Sequence, residues 1–434
     1  MKYIFMLLCV IISSCYFFPF ELIAIPGINS KMAIALIGLI IVIYKSLKKE
    51  TGNVDAGLLV LSIWAMIIGL ISWASTAYNN THDYSFVTYV ISMWVWLGGA
   101  YAMVNFIKNC HGYISIDLVA SYLIAVCVLQ CTFALVFNYN ANAEDWFINT
   151  FAGEAFMGVT DGQRMHGIGC ALDVAGFRFA AVLTMTGVLA FKASHEKSIS
   201  FWVLITAFIF IIVIGDMISR STFIGAALTF VFWIFISTNK LDLGFLTKIT
   251  CTIILGAIIV SYLYFTDSSF ASSLRFGFEG FFSLVETGQW QTNSTDILEN
   301  MVVFPDNLKT WIIGDGYAAN PLDVYQSTYD PYYRGQEFHG FYMQTDIGYL
   351  RYIFYFGLLG LFAFIGFFIK VFQICARRFP GYGWFFFMIL AINFIGWFKV
   401  SSDLFMVFAP FLCISAQEQE EAEEMKAEHE MISA

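Results

Sequence analysis

The sequence predicts an all-α, polytopic membrane protein with about twelve transmembrane helices and a large loop on the outer side. Of its 434 residues, 59% are hydrophobic and 12% are charged, whereas soluble domains are roughly half apolar and a quarter charged. The mean hydropathy is +0.73. Apolar runs of about 17–22 residues match helices that cross a hydrocarbon core about 30 Å thick, unlike the roughly ten-residue alternation of outer-membrane barrels.

Twelve apolar segments account for the predicted helices, and the last two are short enough to form one bent pair. They lie near residues 3–20, 32–45, 57–75, 86–107, 116–138, 176–193, 200–217, 221–237, 249–265, 346–369, 383–398 and 404–415.

The predicted organisation has four parts. These are residues 1–265 with nine helices and an outer loop at 139–175, the large outer loop at 266–345, three helices at 346–415, and an acidic tail at 416–434.

Lysine positions set the predicted orientation. The lysine-bearing loops alternate along the chain as the positive-inside rule requires, which places both termini in the cytoplasm. The tail between Gln417 and Glu430 holds seven glutamates against Lys426. Such a segment is typical of a solvated acidic helix or a disordered end.

Arginine positions run against that bias, because six of the eight fall on or near the outer face. A guanidinium binds phosphate or carboxylate with two parallel hydrogen bonds and tolerates partial burial better than an ammonium, so an anion site is one explanation. Local pairing is the other, with Asp216 and Arg220 four residues apart on one helix and Asp173 near Arg178. The six are Arg164, Arg178, Arg220, Arg275, Arg334 and Arg351.

The large outer loop is itself acidic, with three cations against ten carboxylates. This balance argues against a groove for a long polyanion such as nucleic acid. A mostly neutral ligand with a local charge, such as a sugar, fits better. Trp290, Trp311 and several tyrosines of the loop could stack on sugar faces, or could serve only for packing.

Several nucleotide and metal motifs are absent from the sequence. There is no phosphate-binding Gly-Lys loop, no Asp-x-Asp pair, no His-Glu-x-x-His helix and no Gly-x-Ser-x-Gly elbow, so we expect no metal or cofactor. Any transfer reaction would then need an activated donor, and a lipid-linked pyrophosphate sugar fits. Candidates for the general base are Glu337, His339, Asp346, His166 and Asp173.

Three stretches resemble the Wzy-type O-antigen and capsular repeat-unit polymerases, which are relatives of the O-antigen ligases. They are "QRMHGIGCALDVAGFRFA" (163–180), "SRSTFIG" (219–225), and "IIGDGYA" (312–318) followed by "HGFYMQTDIGYLRYIFYFGLLGL" (339–361). The resemblance implies a GT-C-like, metal-independent inverting glycosyltransferase of the bacterial inner membrane with a periplasmic active site. It would move a growing glycan from undecaprenyl pyrophosphate onto a new lipid-linked repeat unit.

The resemblance also implies roles and partners. Arg164, Arg220 and Arg351 match the family's arginines and would bind pyrophosphate or sugar, and His339 is similar to the loop histidine of the ligases. A chain-length regulator and a repeat-unit flippase are the implied partners. An O-antigen ligase, with lipid A core as acceptor, and a lipid-linked sugar flippase or transporter remain the alternatives. With these residues, the full candidate set comprises catalytic His339, Glu337 and Asp346, and substrate-binding Arg164, Arg220, Arg351, Arg275, Arg334 and His166.

The helix that carries Arg351 is predicted to start around Gln344. On such a helix Arg351 would lie about 140° from Asp346 at 100° per residue, so we expect no simple intrahelical salt bridge between them. Arg351 would lie about 7.5 Å deeper than Asp346, which keeps both charges outside the bilayer centre.

Overall fold

The computed structural model describes residues 2–22, 25, 28–48, 55–152, 164–195, 199–240, 243–320 and 340–433. Over these residues the chain is predominantly helical, and its β-type pairings include the isolated bridges Gly167–Cys170 and Ala319–Phe341. In chain order the helices are α1 (Lys2–Phe17), α2 (Ser30–Leu47), α3 (Ala56–Asn79), α4 (Tyr89–His111), α5 (Ile116–Tyr139), α6 (Ala141–Phe147), α7 (Leu172–His195), α8 (Ile199–Ile218), α9 (Thr222–Lys240), α10 (Leu243–Thr266), α11 (Ser268–Gly277), α12 (Glu279–Thr287), α13 (Asn293–Asn300), α14 (Leu308–Ile313), α15 (Gly348–Arg378), α16 (Gly383–Gly396), α17 (Phe405–Leu412) and α18 (Ala416–Ser433).

An all-α, multi-pass membrane protein is confirmed. Within the described ranges, eight helices are long and apolar enough to cross a membrane, namely α2, α3, α4, α5, α7, α8, α10 and α15. Three shorter apolar helices lie at Lys2–Phe17, Thr222–Phe235 and Pro380–Gly396. Each of the twelve predicted segments coincides with a helix, although α17 has only eight residues and contains Pro410.

The chain forms two compact units. One comprises Met1–Ile12, Ile28–Ile116 and Asn293–Ala434, and the other comprises Ser13–Gly27 and Asp117–Thr292. We call them the terminal unit and the central unit, and each is described by itself.

In the terminal unit, α15 packs against α3, α14, α16 and α17, and α2 packs along α4. The core is aromatic: Phe364 stacks on Trp397 at 5.4 Å between ring centroids, and Tyr352 meets the same indole edge-on at 4.9 Å. Helices α2 and α4 approach closely at Gly38, where a Cβ would lie 2.0 Å from the Gly98 carbonyl oxygen. Small residues at such crossings are typical of membrane helix pairs.

Helix α15 is broken eight residues after it begins. Phe356 (φ −134°, ψ 17°) and Gly357 (φ 65°, ψ −172°) leave the helical conformation. The freed carbonyl oxygens accept hydrogen bonds from the segment that follows α14: Asp315 N–H donates to Phe354 at 2.6 Å and Gly316 N–H donates to Tyr355 at 3.0 Å. The "IIGDGYA" stretch therefore fills the break.

The acidic tail is helical, and its first turn is docked within the terminal unit. Glu418 accepts a hydrogen bond from Lys108 Nζ at 2.6 Å, and the Gln419 side chain accepts one from the Ile116 N–H at 2.9 Å. Because Gln419 is buried, the start of α18 is held against the end of α4 and is not freely solvated.

In the central unit, α7 lies at the core and packs against α8 and α9. Nearly all residues of its apolar stretch are buried. Its contact with α9 depends on small residues. A Cβ on Gly225 would lie 2.2 Å from the Ala180 carbonyl oxygen, and one on Gly187 would lie 2.2 Å from the Thr229 methyl. The helix ends around α7 are therefore held at fixed positions, and they carry the site described next.

Candidate functional site

Two of the predicted arginines meet at one phenylalanine ring in the central unit. The guanidinium carbons of Arg164 and Arg220 lie 5.2 Å and 4.5 Å from the ring centroid of Phe276. The three residues come from the segment before α7, the turn between α8 and α9, and the end of α11. We call Arg164, Arg220 and Phe276 the arginine pair site. Two like charges brought together by separate elements are typical of an anion-binding site.

Backbone contacts hold Arg164 in place. The N–H of Met165 donates to the carbonyl of Met217 at 3.3 Å. Further along the chain, Gly167 and Cys170 form a bridge. Gly169, between them, has φ +66°, and a Cβ at this position would lie only 2.6 Å from the Phe18 carbonyl oxygen. The Met165 hydrogen bond therefore ties this segment to the end of α8, and the tight turn places it against Phe18.

Arg220 has three directed contacts. Its Nε donates to the Phe276 carbonyl at 3.0 Å, its Nη2 lies 2.6 Å from Glu279 Oε2, and its guanidinium lies on the Phe276 ring. Burial lowers the pKa of Arg220, Glu279 opposes that shift, and the nearby charge of Arg164 adds to it. A guanidinium nevertheless stays protonated at neutral pH, so the site keeps two cations.

Acidic and hydroxyl groups surround the same turn. Ser219 and Ser221 donate to Asp173 Oδ1 at 3.1 Å and 2.6 Å. Gly176, one turn further along α7, leaves room for Ser219, because a Cβ there would lie 2.4 Å from its hydroxyl. Asp173 lies in the first turn of α7, where the helix dipole stabilises a carboxylate. Among the predicted base candidates, Asp173 is thus hydrogen-bonded to the two residues that flank Arg220 in the chain.

The proposed local pairings are partly realised. Asp216 is 2% exposed, and its charge raises the pKa of Arg220, after the larger effects of burial and Glu279. The two do not share one helix, however, because α8 ends at Ile218. Arg178 donates from Nη1 to the Phe17 carbonyl at 2.7 Å. Its position inside the buried α7 suits a structural role.

His166 makes a side-chain contact with Glu144 that the sequence did not indicate. Its Nε2 lies 3.1 Å from Glu144 Oε1 on α6, and the ring packs against Phe137 at 5.9 Å. Burial lowers the pKa of His166, although Glu144 acts in the opposite direction. At neutral pH the imidazole is therefore neutral and can accept a proton.

Arg275 is on α11 but makes surface contacts. It donates to Tyr264 Oη at 3.0 Å and to Glu286 at 2.6 Å, and those hydrogen bonds raise its pKa. With about half of both side chains exposed, this ion pair is typical of a solvated surface.

Arg351 lies in the terminal unit with its own aromatic partner. Its guanidinium carbon lies 3.5 Å from the Phe341 ring centroid, and its Nη1 lies 4.0 Å from Asp346 Oδ1. The predicted helix start at Gln344 is wrong, because α15 begins at Gly348. Asp346 thus precedes the helix and reaches Arg351 from outside it, which the helical-wheel argument did not anticipate.

The "IIGDGYA" motif has a structural explanation in the terminal unit. Asp315 accepts hydrogen bonds from Lys309 Nζ at 2.6 Å and from the Thr310 hydroxyl at 2.7 Å, and Lys309 also donates to Asn79 at 2.7 Å. This network fixes the loop that fills the break in α15.

The two loop tryptophans pack within their own units. A Cβ on Gly280 would lie 2.4 Å from the Trp290 ring, and Trp311 donates to the Pro305 carbonyl at 3.0 Å while stacking on Phe304. Trp290 is still 51% exposed, so its outer face could meet a ligand.

Arg334, Glu337 and His339 lie outside the described residues, so their roles stay predictions. Over the part of the chain that is described, no three His, Cys, Asp or Glu side chains cluster as metal ligands. Comparison with protein families, curated proteins and solved structures found no match. The assignment of function therefore depends on the geometry and on the sequence resemblance.

Proposed function

We propose that this protein is a glycosyltransferase that polymerises undecaprenyl-pyrophosphate-linked repeat units at the outer face of a bacterial inner membrane. The observation that carries the proposal is the meeting of Arg164 and Arg220 at Phe276. A diphosphate leaving group develops charge as the glycosidic bond breaks, and two fixed guanidinium groups can stabilise that charge without a metal.

The transfer follows from these roles. The acceptor hydroxyl oxygen forms a bond to the anomeric carbon, and the bond from that carbon to the diphosphate breaks. The hydroxyl proton passes to a base, and the lipid diphosphate leaves on the arginines. Within the central unit, Asp173 and His166 are the described base candidates. Asp346 and Arg351, in the terminal unit, stay base and substrate-binding residues predicted from the sequence.

The proposal includes a topology. Twelve spans in a GT-C-like arrangement require that the shorter α1, α9, α16 and α17 also enter the membrane. The positive-inside rule supports cytoplasmic termini. A chain-length regulator and a repeat-unit flippase would act beside the enzyme.

Deleting the gene tests the reaction. We expect surface glycan to stop at a single repeat unit on its lipid anchor, whereas loss of the capped anchor itself would instead indicate a ligase. Arg164→Ala, Arg220→Ala and Arg351→Ala should each abolish long chains on glycan gels with the protein still in the membrane. Arg377→Ala, at an exposed position near the other end of α15, is the matched control. Long chains in all three variants would refute the anion site.

A flippase or transporter is the second candidate, and the break in α15 favours it because transporters use discontinuous helices at their substrate sites. Here, however, the freed carbonyls of Phe354 and Tyr355 are occupied by the chain's own N–H groups. They are not open to an ion, and the enzyme remains the better supported function.

A further inference from the structure

Two adjoining cavities form one long groove in the central unit. The larger, about 900 Å³, lies between α5 and α8. The smaller, about 460 Å³, lies among α5, α8, α10 and α11. Both are lined by Thr206 and Phe210, so they join along α8. From Ser200 to Ile214 the groove follows fifteen residues of that helix, whose fourteen steps of 1.5 Å span about 21 Å.

The groove is apolar and opens toward the bilayer. Of the described residues that line the two cavities, none is charged. Of the lining side chains, Val203 is 61% and Leu255 is 58% exposed. Almost none of the residues in the apolar stretch of α10 are buried. In a membrane these surfaces meet hydrocarbon, so the occupant must itself be a hydrocarbon chain.

One end of the groove leads to the arginine pair site. Phe270 lines the smaller cavity and lies in α11, which ends at Gly277. Phe276 is six residues further along the same helix, about 9 Å away. An apolar channel thus ends near two cations, which matches a lipid with a long chain and an anionic head.

We propose that this groove binds the polyprenyl chain of a lipid whose diphosphate engages Arg164 and Arg220. The length favours such a chain over an ordinary phospholipid, because one leaflet of the hydrocarbon core is only about 15 Å thick and the groove is longer. The identity of the head group depends on the proposed function, whereas the place of the chain depends on the groove alone.

The test uses full-length protein in detergent and two probes, undecaprenyl diphosphate and inorganic pyrophosphate. Thr206 is exposed and lies where the cavities join, so Thr206→Trp fills the groove without disturbing the core. We expect it to weaken undecaprenyl diphosphate binding at least about tenfold and to leave pyrophosphate binding unchanged, since only the chain meets the indole. Val231→Trp, at a 63% exposed position on α9, should bind both probes as the wild type does.

A second measurement does not depend on a variant. Undecaprenyl diphosphate with a photoreactive group on its chain should label peptides of α5, α8 and α10 in the wild type. Labelling confined to other helices, or full lipid affinity in Thr206→Trp, overturns the groove and leaves the proposed function standing. Loss of lipid affinity in Thr206→Trp, together with long glycans in all three arginine variants, keeps the groove and refutes the anion site.

Discussion

Replacing Glu279 by glutamine separates two roles of its ion pair with Arg220. The carboxylate lies 2.6 Å from Arg220 Nη2, with side-chain exposures of 30% and 16%. If the arginine pair site binds an anion, Glu279 also competes with that anion for Arg220. Glu279→Gln should then lower stability and raise anion affinity at once.

The magnitude follows from the contact. A hydrogen bond between charged groups contributes about 1.5–3 kcal/mol, and a neutral amide oxygen retains about half of that. The variant should lose about 0.8–1.5 kcal/mol of stability, which lowers the melting temperature by about 1–2 °C in a chain of this size. Arg220 no longer has to release a carboxylate, so the same free energy should strengthen pyrophosphate binding by about four- to twelvefold.

The assay compares thermal unfolding and pyrophosphate titration for the wild type and two variants in detergent. Glu286→Gln is the matched control, because its ion pair with Arg275 has the same 2.6 Å distance but about half of each side chain is exposed. It should change pyrophosphate affinity little. The reasoning is refuted if Glu279→Gln loses stability and its pyrophosphate affinity falls or stays equal, since Glu279 would then be only a structural partner.

Two further predictions concern acid sensitivity and the break in α15. Burial holds the pKa of His166 below its ordinary value of 6.5, so the unfolded chain binds this proton first as pH falls. Stability should therefore decline below about pH 6.5, and His166→Asn should show a shallower decline in melting temperature between about pH 7.5 and pH 5; equal slopes would contradict this. Gly357→Ala should destabilise by at least about 2 kcal/mol, because φ is +65° and the new Cβ would lie 2.1 Å from the Ile312 carbonyl oxygen. Gly383→Ala is the control in the same unit, because Gly383 has φ −54° and no atom lies within 4 Å of the position of a new Cβ. Equal melting temperatures for the two variants would contradict the claim that the break in α15 requires glycine at position 357.

The positions of the helices were predictable because the length of each apolar run can be read directly from neighbouring residues in the sequence. Six arginines were grouped by their predicted outer positions. The structure brings Arg164 and Arg220 to one ring, whereas Arg178, Arg275 and Arg351 contact other groups. Glu279 was not anticipated, because it was one of ten carboxylates in the large loop. Its only local signal is that an acid at the first residue of a helix suits the dipole, and the partner Arg220 is 59 residues away.

Errors at element boundaries account for the rest. The prediction that α15 starts at Gln344 placed Asp346 on the helix, on a different face from Arg351. The helix in fact begins at Gly348, so Asp346 precedes it. The pairing argument placed Asp216 and Arg220 on one helix, although α8 ends at Ile218 and Arg220 follows it. The break at Phe356 and Gly357 could not be predicted, because its hydrogen-bond donors come from Asp315 and Gly316, about forty residues earlier.

The filled break in α15 constrains the order in which the protein can assemble. Until Asp315 and Gly316 donate their N–H groups, the carbonyls of Phe354 and Tyr355 would enter the bilayer without those donors, at several kcal/mol each. The loop precedes α15 in the chain, so its N–H donors are synthesised before the carbonyls that they satisfy. We therefore expect the packing of the last helices to depend on a segment that lies outside all of them.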